Sequence, residues 1–111
     1  DIISIHVPLN NETKYLFDEK IFQKMNNKPI IINSSRGGII NETDLLEAYK
    51  NNYISGFALD VYEHEPVNKI FLKNITNDMN CILSPHIAGV TEESNTRVSE
   101  FIMNKTNEFF S

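Results

Sequence analysis

Ile30-Ile31-Ile32 is apolar at three successive positions, with Pro29 directly before it. A strand that faces water on one side alternates apolar with polar residues, whereas a strand covered on both faces does not need to. The run therefore predicts a strand inside a parallel sheet flanked by helices. Short apolar runs recur along the chain at residues 2–7, which stop at Pro8, at residues 54–61, and at residues 81–83, which stop before Pro85. Between them lie helical patterns. Asp18 offers an N-cap to a short helix with Ile21, Phe22 and Met25 on one face. Asn41 and Asp44 resemble a capping pair that opens a helix carrying Leu45, Leu46, Ala48 and Tyr49, closed by Asn51-Asn52. Residues 67–80 are mostly polar around Ile70, Phe71, Leu72 and Ile75 and read as a loop with a helical turn. Thr91-Glu92-Glu93-Ser94 caps a last helix in which Val98, Phe101, Ile102, Lys105 and Phe109 recur at helical spacing. The order β-α-β-α-β-(α)-β-α implies an α/β fold of about four parallel strands with flanking helices and right-handed crossovers.

Length and charge narrow the function. One small domain fits in 111 residues. A net charge of −5, a pI near 5.1 and scattered Lys and Arg disfavour nucleic acid, which demands clustered cations. The one cysteine, Cys81, has no internal disulfide partner and falls in an expected buried strand, which fits a reduced, cytoplasmic protein. Asp1 does not open a signal peptide, and no apolar run approaches the ~20 residues that span a bilayer, so no membrane partner is expected. Zinc-type HExxH and CxxC patterns are absent, as are the Lys and hydroxyl of a P-loop after Gly37-Gly38 and a Gly-x-Ser-x-Gly elbow around Ser34 or Ser35.

Three chemically competent residues each follow an apolar strand, where an open parallel sheet gathers its binding loops. Arg36 precedes Gly37-Gly38, and its planar fork suits a carboxylate through two parallel hydrogen bonds. The alternative is a surface Arg paired with a nearby acid. His86 lies between Pro85 and Ile87-Ala88-Gly89, and a His, as a side chain whose charge changes near neutrality, can take a proton from an alcohol and return it to a ketone. The alternative is a loop His bonded to backbone. Glu65 is its natural partner, because a carboxylate on imidazole fixes the tautomer and favours the imidazolium; alone it reads as a solvated turn residue, as Glu63 does. His6 reads as a packing or pocket-wall residue and His64 as exposed. Gly56 and Ala58 would let a helix or a ligand approach the third strand closely.

Taken jointly, Asn33-Ser34-Ser35-Arg36-Gly37-Gly38, Asp60-Val61-Tyr62-Glu63-His64-Glu65-Pro66 and Ser84-Pro85-His86-Ile87-Ala88-Gly89, with the opening Asp1-Ile2-Ile3-Ser4-Ile5-His6-Val7-Pro8-Leu9, closely resemble the D-isomer-specific 2-hydroxyacid dehydrogenases. The resemblance implies the second half of a Rossmann-type doubly wound sheet with NAD as cofactor. It implies that Arg36 binds the carboxylate of a small 2-hydroxy or 2-oxo acid, that His86 is the general acid and base, and that Glu65, directly before Pro66, sustains its protonation. Asp60 would bond the nicotinamide carboxamide. Val7 and Pro8 would wall the adenosine, Ser34, Ser35, Ala88 and Gly89 would line the nicotinamide, and Arg36 and His86 would also touch the cofactor.

The chain departs from that family in having no G-x-G-x-x-G strand-to-helix turn, no ribose-reading acid after it and no separate substrate domain. The resemblance therefore implies part of a longer enzyme, commonly a homodimer, with this part inactive and poorly stable alone because the strand at residues 2–7 leaves an apolar edge uncovered. An NAD-sensing corepressor-like module that keeps the same Arg, Glu and His is the alternative use of the scaffold.

Overall fold

The computed structural model describes residues 1–111. Four strands, β1 (Ile2–Ile5), β2 (Ile30–Asn33), β3 (Gly56–Leu59) and β4 (Cys81–Leu83), alternate with four helices, α1 (Glu19–Phe22), α2 (Glu42–Lys50), α3 (Lys69–Lys73) and α4 (Glu92–Phe110). The strands form one parallel sheet in the order β1-β2-β3-β4. The registers align Ile3 with Ile31, Ile31 with Phe57 and Phe57 with Cys81 across one row, and Ile5, Asn33, Leu59 and Leu83 across the next. β1 is shorter than the run at residues 2–7 predicts. His6 leaves the ladder, and its Nε2 lies 2.7 Å from the Ser4 hydroxyl.

Local chemistry sets the helix ends. Asp18 accepts from the Ile21 amide, Asn41 from the Asp44 amide and Thr91 from the Ser94 amide, each satisfying a donor the helix leaves unpaired. Asp44 does not return the bond to Asn41; its carboxylate accepts from the Glu19 amide and ties α1 to α2. Asn52, left-handed at φ +61°, ends α2. The loop at residues 67–80 carries α3, whose Phe71 reaches the core and packs edge-on against Tyr62 at 6.3 Å between ring centroids.

The expectation that Ile30-Ile31-Ile32 is covered on both faces is not met within these 111 residues. Ile5, Ile31, Asn33, Phe57 and Leu59 are buried and point to one face, where Phe22, Leu45, Leu46, Ala48 and Phe71 complete the core. The opposite face holds Ile2, 65% exposed, Ile82, 71% exposed, and the half-buried Ile30, Ile32 and Ala58. The physical reason is topological: strands added one after another in a single direction by right-handed crossovers place every intervening helix on the same side. β4, expected to be buried, is an edge strand for that reason, and burial of Cys81 is partial, enough to push its thiol upward. α4 buries none of its residues; Phe101, Ile102 and Phe109 remain exposed along a molecule 59 Å in its longest extent. Gly56 is small for the sake of Asn80, whose side-chain amide would lie 2.5 Å from an added Cβ. No helix is long and apolar enough to cross a membrane.

Candidate active site at the carboxyl edge of the sheet

Because all four strands run parallel, their carboxyl ends open on one edge. Val7 and Pro8 follow β1 there, exposed, with the Pro8 carbonyl accepting from the Thr13 hydroxyl at 2.6 Å.

The turn after β2 is built on Asn33, 2% exposed. Its Oδ1 accepts from the Ser35 amide at 3.1 Å and the Ser35 hydroxyl at 2.8 Å, and its Nδ2 donates to the Arg36 carbonyl at 3.0 Å. Ser34 and Arg36 are exposed on this turn, and one Arg36 Nη donates to the Ser35 carbonyl at 2.6 Å. No acid pairs with the guanidinium, so the surface ion pair weighed for Arg36 is not made. Asn33 did not stand out in the sequence as a site residue. An Asn at the end of an apolar strand, followed by two Ser, is an Asx-turn signal that could have found it.

The turns after β3 and β4 meet. His86 Nδ1 lies 2.7 Å from Glu65 Oε2, with the two side chains 46% and 39% exposed. The other Glu65 oxygen accepts from the Tyr62 amide at 3.2 Å. The His86 bond first, and the Tyr62 amide second, hold the Glu65 carboxyl below its ordinary value. Tyr62, Glu65, Pro66, Val67, Pro85 and His86 line an adjoining depression of about 280 Å³.

Asp60 anchors the His86 turn from beneath. The residue is 6% exposed, and its carboxylate receives the Ser84 hydroxyl at 2.5 Å and the Ile87 amide at 2.9 Å on one oxygen, and the Ala88 amide at 2.9 Å on the other. Burial works to raise its carboxyl, but those three donors together hold it below the ordinary value. His86 itself is left-handed, at φ +56°. That conformation turns the two following amides toward one point, the concave arrangement that binds an anion, and Asp60 supplies the anion. The Tyr62 hydroxyl is shared between the Leu59 and Ser84 carbonyls at 3.2 and 2.9 Å, which joins the ends of β3 and β4.

Glu63 is not a solvated turn residue. Its Oε1 accepts from the Glu42 amide at 2.6 Å and its Oε2 from the Tyr15 hydroxyl at 3.1 Å. His6 is exposed and bonded to Ser4, not a packing residue, and stands outside the His86 cluster; His64 is exposed as expected. The structure thus joins Glu65, His86 and Asp60, through Ala88, into one hydrogen-bonded unit, while Arg36 occupies the neighbouring turn without a bond to them.

The donor set suits the nicotinamide end of a dinucleotide: an imidazole with one free nitrogen, a guanidinium with no acid partner, and Gly89 with open space on its Cβ side. Asp60 has three of its acceptor sites filled by protein, which leaves residual capacity chiefly on Oδ2 for a carboxamide.

Residues 1–88 match the D-isomer specific 2-hydroxyacid dehydrogenase, NAD binding domain. The chain is 41% identical over 100 residues to a glyoxylate reductase of Thermofilum pendens, covering 90% of this chain and 29% of that one. It is 38% identical to an erythronate-4-phosphate dehydrogenase of Bacteroides thetaiotaomicron, covering 99% of this chain and 32% of that one. Among solved structures, a D-lactate dehydrogenase from Aquifex aeolicus complexed with NAD and lactic acid superposes with a TM-score of 0.84 at 28% identity, covering 99% of this chain and 37% of that one. The chain spans about a third of the length of the relatives it matches.

Proposed function

Because the chain belongs to the D-isomer-specific 2-hydroxyacid dehydrogenase family, within its NAD-binding domain, we propose that the protein moves hydride between NAD(H) and C2 of a small D-2-hydroxy or 2-oxo acid. NAD, when bound, supplies the hydride acceptor or donor. Everything else falls to side chains at the sheet edge. Glu65 occupies Nδ1 of His86, so the imidazole carries its proton there in the neutral form and turns Nε2 outward as the base. As hydride leaves C2, Nε2 takes the hydroxyl proton, and the adjacent carboxylate favours the resulting imidazolium; in reduction the same proton returns to the carbonyl oxygen. Arg36 grips the substrate carboxylate with the N–H groups not spent on the Ser35 carbonyl. Ser34, Ser35, Ala88 and Gly89 line the nicotinamide, Asp60 holds the turn that carries His86, and Val7 and Pro8 stand toward the adenosine.

The observation that carries this reading is the 2.7 Å His86–Glu65 contact at the carboxyl edge. The test uses the protein as its own gene encodes it, assayed with NADH and a panel of 2-oxo acids. His86→Ala is expected to lower kcat by about 10² to 10⁴-fold while NADH binding, followed by fluorescence, stays within about twofold. Near-normal turnover in that variant overturns the acid–base assignment. NADH binding by the unsubstituted protein without turnover of any 2-oxo acid points instead to the cofactor-sensing module.

A further inference from the structure

Glu42 is the first residue of α2, and the residue is 8% exposed. An acid placed at a helix start only to meet the helix dipole needs no burial, and burial costs free energy. This carboxylate turns away from its own helix and accepts from the Glu63 amide at 2.7 Å. Glu63 reciprocates, its carboxylate accepting from the Glu42 amide at 2.6 Å. The two bonds join segments 21 residues apart.

What they grip is the Tyr62–Glu63 peptide. Its N–H is on Glu42, and its carbonyl lies against Gly37, where an added Cβ would stand 1.7 Å from the Tyr62 oxygen. Gly37 directly follows Arg36. One residue back, the Tyr62 amide donates to Glu65, and Glu65 holds His86. A continuous path therefore runs from Glu42 through the peptide to the acid–base pair, and the peptide is wedged against the turn that carries the guanidinium.

We infer that Glu42 is a positioning residue: by holding the Glu63 amide it sets the Glu65 carboxylate, and with it the His86 ring, in register with the Arg36 turn. Its bearing on catalysis rests on the dehydrogenase reading. The titratable groups facing Glu42 are Glu63, His64 and Tyr62, with Tyr15 reached through the far Glu63 oxygen; those facing His86 are Glu65 and Asp60. Burial first, and Glu63 with it, raise the Glu42 carboxyl, while the Glu63 amide and His64 oppose them.

The experiment compares the full-length protein with its Glu42→Ala, Glu42→Asp and Glu42→Gln variants. It follows the NMR titration of the His86 imidazole, identified by its loss in His86→Ala, alongside kcat, KM and the thermal midpoint. Glu42→Ala and Glu42→Asp, which remove or shorten the reach, are expected to lower the His86 midpoint by about half a pH unit or more and kcat about tenfold, with KM for NADH unchanged. Glu42→Gln keeps an acceptor oxygen for the Glu63 amide and is expected to restore most of both. An unmoved His86 midpoint in Glu42→Asp, or a loss that Glu42→Gln does not rescue, overturns the inference. The titration is readable without turnover. A shifted midpoint in a protein that reduces no 2-oxo acid therefore supports the positioning and sinks the dehydrogenase reading alone.

Discussion

His86 Nδ1 and Glu65 Oε2 lie 2.7 Å apart, although the two residues enter from turns after different strands, β4 and β3. Exposed ion pairs contribute little to stability, about 0–1 kcal/mol, so stability alone does not account for a contact held this way from both sides. Glu65 is fixed by the Tyr62 amide and His86 by its own constrained backbone.

Glu65→Gln is expected to lower kcat by about 10 to 100-fold and to move the His86 limb of the pH–rate profile to lower pH, because an amide supports the imidazolium less than a carboxylate does. The stability effect has a defined sign. The Glu65 carboxyl is held below its ordinary value of 4.5, so its contribution is present above the unfolded value and is lost as pH falls through the lowered folded value. The difference between the two proteins in denaturant midpoints is expected to vanish as pH falls through the range of the lowered Glu65 carboxyl. A gap that persists once Glu65 is protonated contradicts the assignment.

Asp60→Ala strands one hydroxyl and two amides that now converge on a carboxylate. Each hydrogen bond to a charged group contributes roughly 1.5–3 kcal/mol and the three share one acceptor, so a loss of about 3 kcal/mol is expected from urea unfolding. Turnover is expected to fall with it, because the left-handed backbone at His86 loses the anion that stabilises it. Here too the carboxyl sits below its ordinary value, so the Asp60 contribution is lost as pH falls through the lowered folded value and not as pH rises.

How much of this was legible follows from the range of each interaction. Asp18, Asn41 and Thr91 signalled their helix starts because a cap is decided within three residues. Ile30-Ile31-Ile32 signalled a parallel strand, yet its two-sided burial did not follow, because which faces are covered depends on strand order and not on composition. His86 and Glu65 were recognisable by side-chain chemistry and by the company they keep. Glu42 was not, because the amide it holds, that of Glu63, lies 21 residues away and an amide leaves no mark in a residue string; Asn33 acts within three residues, and its signal is the Asx turn and not a reactive side chain.

Gly37→Ala tests that main-chain packing directly. A methyl at this site would stand 1.7 Å from the Tyr62 carbonyl oxygen, which is backbone and cannot rotate aside. Overpacking of this kind costs about 1–3 kcal/mol, and the Tyr62–Glu63 peptide is expected to shift with a fall in kcat. Gly89→Ala is the control: nothing lies within 4 Å of the added methyl, and stability is expected to change by less than about 0.5 kcal/mol. Equal denaturant midpoints for the two variants would mean the close approach at Gly37 is not made in solution.

Ile82 and Phe57 sit on adjacent strands with opposite fates. Phe57, 2% exposed, packs edge-on against Tyr49 at 6.0 Å, and Phe57→Ala is expected to cost about 3–5 kcal/mol. Ile82, 71% exposed, lies on the open face of an edge strand, where an unpaired ladder and apolar side chains together template association. Ile82→Lys is therefore expected to leave the unfolding midpoint within about 0.5 kcal/mol while lowering concentration-dependent light scattering of the 111-residue chain. The result separates two kinds of apolar residue that composition counts alike. If Ile82→Lys destabilises the chain as Phe57→Ala does, the open face is covered in solution and the one-sided sheet is wrong; if scattering is unchanged, association runs through another surface, with the exposed Phe101 and Ile102 of α4 the next to substitute.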